Sequence, residues 1–556
     1  MKIQVSELIV RYLERLGVEV IFGMPGAHIL PVYDSLYDSS IKNVLAKHEQ
    51  GAAFMAGGFT RVSGKISACI ATAGPGATNL VTGIANAYAD KQPIVVITGE
   101  APTHIFGKGG LQESSGEGGS IDQTALFKGI TRYNKVIERT DYLGQVLNQA
   151  TKVLQSSDPG PVLLSFPYNV QKELVDADIL DRLNLDHGRH GKNRNAQAMC
   201  DFIDLLQAAE RPVIVAGFGC IQAGAQAEVE QFSQALNIPV TTSLKGKGVI
   251  SEGSPLSLGS LGVTSGGYAY HYIIEQADLL IFLGASFNER TSYLWNDRLL
   301  QGKKIVQVDK DYKQLEKVFV ADVAIEGDIR EVMAGCVEAI RQSGVPRKSF
   351  ATSRWDVDAD GALLADTAGD ALLSSFTLVK TFFKKLEQRL QGEAQVFDDN
   401  IIFAQNYFNA SAEKRYYPNS GVSSLGHAIP AAIGARFCDE RATFAILGDG
   451  GFQMCCMEIM TAVNYAIPLN IVVFNNATMG LIRKNQFQQY EGRYIGCDFI
   501  NPDFAYLAKS FGIEYKLVAS EQDIDDLFDQ CDMHSKINLI EIPIDKNAFP
   551  NYSSRR

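Results

Sequence analysis

Nowhere in the 556 residues do about eighteen apolar side chains run together, so no membrane-spanning helix is expected. Nor is there a basic tract. The 51 lysines and arginines are outnumbered by 63 acidic residues, for a net charge of −12, which argues against a nucleic-acid or anionic-membrane surface. The nine cysteines are odd in number and contain no CxxC pair. Most sit in apolar context, such as Cys69 in ISACIAT, and read as buried thiols of a reducing, cytoplasmic protein rather than a disulfide or zinc framework. Proline is scarce at 18 residues while glycine reaches 50, which suits an α/β protein with many tight strand-to-helix turns. The N-terminus, with Glu7, Arg11, Glu14 and Arg15, reads as an amphipathic helix leading into a strand and not as a signal peptide. No repeat with a period of 20–50 residues is visible.

What is present is a βα rhythm. Apolar runs such as VEVIFG, SACIATA, PIVVITG and VLLSFP alternate with amphipathic stretches up to about residue 175. A polar stretch at 183–196 breaks the pattern. A second series contains PVIVAGFG, PVTTS, LLIFLGA and IVQVD. After a small, polar and acidic break at 347–369, a third contains QVFDDN, TFAILGDG, NIVVFNN and NLIEIPID. This predicts three doubly wound parallel-sheet α/β domains, at 1–182, 197–345 and 370–556.

One carboxylate in the third series stands out. The run Phe444 to Leu447 ends in Gly448-Asp449-Gly450-Gly451, and ligands of open α/β sheets bind at the carboxyl ends of strands. Asp449 is therefore either the N-cap of the next helix or a ligand. After 24 further residues (451–474), a second apolar run ends in Asn475-Asn476. One crossover helix between the runs would bring Asp449 and Asn476 side by side at the sheet edge. A carboxylate oxygen, an amide oxygen and the backbone carbonyl of Thr478 are hard ligands suited to Mg²⁺, which prefers to share phosphate oxygens. A helix N-terminus after Gly450 would favour those phosphates.

This GDG–x24–NN pattern resembles the diphosphate-binding motif of thiamine diphosphate enzymes. In that resemblance Gly448, Gly450, Gly451 and Met454 line the diphosphate, while Asp449, Asn476 and Thr478 hold Mg²⁺. HEQGAAFMA, with Glu49, and TAGPGATNL, with Gly74, Pro75 and Asn79, resemble the same family's pyrimidine-binding domain. There a glutamate shares a proton with the aminopyrimidine and so activates the cofactor, and Glu49 matches it. Leu425, in NSGVSSLGHAIPAAIG, matches the bulky residue that props the bent cofactor, although a core leucine is the plainer reading. The family places its two half-sites in different domains, which implies a homodimer or homotetramer with sites at the interface.

Over nearly its full length the chain is most similar to acetohydroxyacid (acetolactate) synthase catalytic subunits. FGMPGAHILPVYDSL, with Pro25, resembles their opening unit. The 238–262, 277–291 and 308–311 segments resemble their middle domain, which binds FAD that has no redox part in the ligation. The matching positions are Gly217, Gly219, Leu244, Lys245, Gly284, Ala285, Ser286, Phe287, Asp309, Gly327 and Asp328; an empty domain that keeps structural glycines is the alternative. The resemblance implies decarboxylation of pyruvate and transfer of the acetyl unit to a ketone acceptor, with Arg290 holding the acceptor carboxylate. A small regulatory subunit is a further possible partner. Three departures bear on the acceptor. Tyr168-Asn169 replaces a Lys-Asp pair, and Asn485 stands where the family has a tryptophan favouring 2-ketobutyrate. The 110–127 loop is longer than the family's, so its active-site glutamine falls on Gln112 or is displaced to Gly119. The activity expected first is acetolactate formation. The alternatives are acetyl transfer to another ketone, such as a keto-sugar nucleotide, and an FAD-dependent 2-keto acid oxidase.

Overall fold

The computed structural model describes residues 1–184, 196–350, 370–390 and 393–549. Most of the two expected breaks, 183–196 and 347–369, lies outside the described residues. Three six-stranded parallel sheets carry the fold. In the first, the strands run across the sheet as Lys42–Leu45, Val20–Gly23, Ser67–Ala71, Ile94–Glu100, Val162–Pro167 and Tyr133–Val136. In the third they run as Lys414–Pro418, Ala394–Asp398, Ala442–Gly448, Leu469–Asn475, Ile537–Pro543 and Glu514–Leu517. Numbered along the chain, both have the order 2-1-3-4-6-5. The middle sheet is different: Ser257–Ser260, Val240–Thr242, Pro212–Ala216, Leu279–Leu283, Lys304–Asp309 and Val323–Glu326 give 3-2-1-4-5-6, the dinucleotide-binding order.

The central strands are apolar throughout because helices cover both faces; Ile94–Glu100 and Val162–Pro167 are buried at every position. The N-terminal helix Val5–Arg15 presents Leu8, Ile9, Tyr12 and Leu13 to the first core. The first and third domains share a core. At its centre, helix Glu49–Ser63 lies against helix Ala428–Ala435 with backbones nearly touching: a Cβ on Gly58 would come within 2.0 Å of the Ala431 carbonyl oxygen, and one on Gly434 within 1.9 Å of that of Met55. Among the described residues no helix is long and apolar enough to cross a membrane. All nine cysteines are free thiols.

The crossover from Gly448 to Leu469, expected as one helix, is broken. Helix Asp449–Cys455 gives way to a 3-10 turn at Cys456–Glu458 and then to helix Ile459–Asn464.

Candidate active site

Parallel pairing of Ala442–Gly448 with Leu469–Asn475 sets Gly448 opposite Phe474, so the two motifs meet at one sheet edge. The N-cap of helix Asp449–Cys455 is Gly448. Asp449 is the first helical residue and its carboxylate reaches sideways to the neighbouring strand end. Oδ2 accepts from Asn476 N (3.0 Å), Ala477 N (2.6 Å) and Asn501 Nδ2 (2.8 Å), and Oδ1 from Gly450 N (2.9 Å). The side chain is 1% exposed. Burial pushes its pKa up, against the pull of these donors. Asn476 Oδ1 accepts a 3.3 Å bond from Thr478 N. Thr478 is buried, its hydroxyl donating to Asp498 Oδ1 at 2.7 Å. Among the described residues no three His, Cys, Asp or Glu gather as metal ligands. The oxygens at 449, 476 and 478 nevertheless suit Mg²⁺, because that ion takes few protein ligands and completes its shell from phosphate and water.

Around this edge, Gly450 is closed in by Met479, whose sulfur would lie 2.6 Å from an added Cβ, and Gly451 by Asp399 Oδ2 at 2.9 Å. Gly448 is open, with only Ile401 Cδ1 at 3.9 Å. Met454 is exposed and Leu425 half-buried, so Leu425 is not a core leucine. The turn after it is fixed by Asp399, which accepts from Gly426 N (2.6 Å), His427 N (3.1 Å) and Ala428 N (3.2 Å).

In the first domain Glu49 opens helix Glu49–Ser63, capped by the His48 side chain. Its Oε2 accepts from Asn79 Nδ2 at 3.0 Å, and a Cβ on Gly76 would stand 3.6 Å from its Oε1. Gly74 (φ +61°) turns the chain into helix Pro75–Asn79; Pro75 and Pro25 are exposed. Gln112 also lies at this edge. Its Oε1 is 3.3 Å from His28 Nδ1 and 3.4 Å from Thr72 Oγ1, and its Cβ is 3.1 Å from where Gly74 would carry one. Gly119 is exposed with nothing within 4 Å of an added Cβ. Of the two, Gln112 is the one beside Gly74 and Thr72. The long loop is closed by Glu113, which accepts from Gly107, Gly109 and Gly110 N and from Ser115 Oγ. The basic side chain missing at Tyr168 has a neighbour in Lys172, whose Nζ lies 2.7 Å from the Tyr168 hydroxyl.

Arg290 opens onto a cleft of about 290 Å³ between the middle and third domains, shared with Phe218, Leu244, Lys245, Gly284, Ser286, Ser420 and Ser423. Gly217 and Gly219 follow the first strand of the middle sheet and Gly284 follows the fourth, where the strand order reverses. Their glycine requirement is met by protein: added Cβ atoms on Gly217 and Gly219 would meet Gly284 O at 2.1 Å and Gly284 Cα at 2.7 Å. Phe287 packs edge-to-face on Phe282 and Phe319. Asp309 Oδ1 accepts from Asp311 N at 2.9 Å. Asp328 N-caps helix Ile329–Ser343. These are structural occupations that leave the positions silent about a ligand.

Sequence reasoning missed Asn501, Asp399 and Glu458. For Asn501 nothing in the spacing marks it. Glu458, 3% exposed, bore the same signal as Asp449: a lone carboxylate in an apolar stretch.

Comparison with known proteins agrees with this architecture. Models of the thiamine pyrophosphate enzyme N-terminal TPP binding, central and C-terminal TPP binding domains match residues 3–125, 200–335 and 400–542. The chain is 31% identical to a "Probable acetolactate synthase large subunit" of Methanococcus aeolicus, over 98% of this chain and 92% of the relative. It is 32% identical to a protein of the same description from Methanocaldococcus jannaschii, over 97% and 92%. To the "Acetolactate synthase isozyme 1 large subunit" of Escherichia coli it is 32% identical, over 92% and 88%. With three successive domain matches and relatives aligned over 92–98% of its length, the chain belongs to the thiamine pyrophosphate-dependent acetolactate synthase family.

Proposed function

We propose that the protein decarboxylates pyruvate and joins the remaining two-carbon unit to a second pyruvate, forming 2-acetolactate, with thiamine diphosphate and Mg²⁺ as cofactors. The observation that carries this is the join of Asp449 to the Asn476–Ala477 backbone at one sheet edge, in a chain so similar to acetolactate synthase large subunits. The cofactor supplies the nucleophilic carbon and the electron sink. Around it, Asp449, Asn476 and the Thr478 carbonyl would hold Mg²⁺, with Gly448, Gly450 and Gly451 along the diphosphate. Leu425 would meet the rings and Met454 the diphosphate. Glu49 would share a proton with the aminopyrimidine, steadied by the Asn79 amide, and Pro25, Gly74, Pro75 and Gln112 would close the pyrimidine side. Arg290 would take the acceptor carboxylate as a bidentate partner.

The homodimer or homotetramer belongs to this reading. It is supported by apolar side chains left exposed on the segments that carry the site, among them Met454, Met457, Ile482 and Phe487. A small regulatory partner is suggested only by the relatives' description as large subunits. Domains at 1–182, 197–345 and 370–556 and a cytoplasmic setting for nine free thiols complete it.

FAD in the middle domain is supported by the 3-2-1-4-5-6 order and by a cleft of about 2310 Å³ whose wall includes Phe218, Lys245, Gly327 and Asp328. The glycines do not add to that support, since protein backbone already explains them.

Incubating the protein with pyruvate, thiamine diphosphate, Mg²⁺ and FAD and weighing every product tests the proposal. Acetolactate and carbon dioxide are expected, with bound flavin that pyruvate does not bleach without oxygen. Pyruvate loss with no acetolactate would overturn the acceptor, and anaerobic bleaching would make the enzyme an oxidase.

A further inference from the structure

The broken crossover aims one buried carboxylate out of its own domain. Glu458, at the end of the 3-10 turn, sends its side chain to the start of the helix that Glu49 opens. Oε1 accepts from Lys47 N at 3.0 Å and His48 N at 2.9 Å. Oε2 accepts from Thr461 Oγ1 at 2.8 Å, and Thr461 is itself fully buried. The two amides held are those of the residues immediately before Glu49. The receiving helix leaves room for this contact: a Cβ on Gly51 would stand 2.2 Å from Glu458 Oε1. The same crossover makes a second hold on the same segment, since the Tyr465 hydroxyl accepts from Leu45 N at 2.8 Å and donates to Asn43 O at 3.3 Å.

We propose that Glu458 is a positioning residue for Glu49. By fixing the backbone at Lys47 and His48, it sets where the Glu49 carboxylate stands. A carboxylate accepting backbone amides makes shorter and stronger bonds than a neutral acceptor, and Glu458 itself is buried. Helix starts otherwise fray, because their first amides lack partners within the helix. Glu458 lies nine residues after Asp449, so one crossover carries both Asp449 and the hold on the two residues before Glu49. The inference rests on the reading of Glu49 as the proton-sharing group.

The test is deuterium exchange at the thiazolium carbon of bound thiamine diphosphate, in the Mg²⁺ holoenzyme, together with cofactor affinity. In Glu458→Ala, exchange at saturating cofactor should fall about 10- to 100-fold, the scale of a misplaced catalytic group, while affinity for the cofactor stays near wild type. Gly51→Ala, which keeps the carboxylate but pushes it away, should lower exchange in the same direction. Glu458→Gln keeps an acceptor for both amides and should restore most of the rate. Should Glu458→Ala not fold, Gly51→Ala and Glu458→Gln decide the matter. Wild-type exchange in the folded Glu458→Ala and Gly51→Ala proteins, with only thermal stability reduced, would overturn the proposal. A Glu49→Gln control that also exchanges like wild type would show that the underlying reading of Glu49 has failed, and the proposal with it.

Discussion

Asp449 performs two tasks that a single substitution can separate. As an acceptor it ties Asn476, Ala477 and Asn501 to its own strand end. As a charge it would bind Mg²⁺. Asp449→Asn keeps the shape and one acceptor oxygen but removes the charge. Cofactor binding should weaken by about 2–5 kcal/mol, the cost of truncating one member of a buried charge pair, with a smaller loss of stability. An unchanged Mg²⁺-dependent cofactor titration would reduce Asp449 to a strand tie. His427 carries the other prediction at this scale. It is 2% exposed, edge-on to Phe54, and its Nδ1 has no hydrogen-bond partner among the described residues. Burial pushes its pKa down to about 3; the nearby Arg61 adds to this and Asp90 opposes it. Between roughly pH 6.5 and 3 the unfolded chain binds this proton and the folded one does not, so stability falls as pH falls through that window. The slope approaches about 1.4 kcal/mol per pH unit. His427→Phe should flatten the acid side of the unfolding curve by that amount; identical pH profiles for variant and wild type would refute the assignment.

At the scale of elements, helices Glu49–Ser63 and Ala428–Ala435 can meet only because Gly58 and Gly434 lack side chains at the crossing. Gly434→Ala gains about 1 kcal/mol of helix propensity, but its Cβ would sit 1.9 Å from the Met55 carbonyl oxygen. A clash with backbone cannot be relieved by a rotamer change. The net effect should be destabilisation of about 1–3 kcal/mol or more, read by urea unfolding, and a neutral or stabilised variant would mean that the helices slide apart at no cost. The strands show what a sequence reveals and what it hides. Most inner strands of the three sheets, from Val20–Gly23 to Ile537–Pro543, announce themselves as apolar runs, although Val240–Thr242 is VTT. Edge strands such as Tyr133–Val136, Ser257–Ser260 and Glu514–Leu517 are only half covered. Lacking continuous apolar runs, they gave no signal; sheet edges are where charge and polarity are tolerated. The crossover break at Cys456–Glu458 was hidden for a related reason: it coincides with a carboxylate that accepts from an amide 410 residues away in the chain, a contact no local pattern encodes.

Across the whole molecule, strand order was the illegible part. Three βα series look alike in sequence, yet two fold as 2-1-3-4-6-5 and the middle one as 3-2-1-4-5-6, because order is set by which strand ends pair and not by the runs themselves. The local motifs around Glu49, Asp449 and Asn476 were legible, since each lies within one strand-to-turn unit, but the junction of the three domains was not. There, the fully buried carboxylate of Asp90 from the first domain meets Lys245 of the middle domain at 2.6 Å and Arg61 at 3.9 Å. The Arg61 guanidinium lies over Phe218 of the middle domain and Tyr417 of the third, and donates to Pro418 O at 2.8 Å. Burial alone would push the Asp90 pKa up, but Lys245 and Arg61 bring it below the ordinary carboxylate range. Lys245→Met keeps the length of the side chain and removes its charge, leaving Asp90 with Arg61 at 3.9 Å. Breaking a fully buried pair in this way costs about 3–5 kcal/mol, and with the Lys245 side chain a quarter exposed the loss belongs at the low end of that range, whereas replacing both partners with neutral groups can cost little. Lys245→Met should therefore loosen the middle domain from the first, so that its thermal unfolding separates from the main transition. Adding Asp90→Asn should return most of the lost stability, a coupling that a double-mutant cycle measures. If the two losses simply add, the pair is incidental, and the domains are held by the Arg61 stack and the shared core alone.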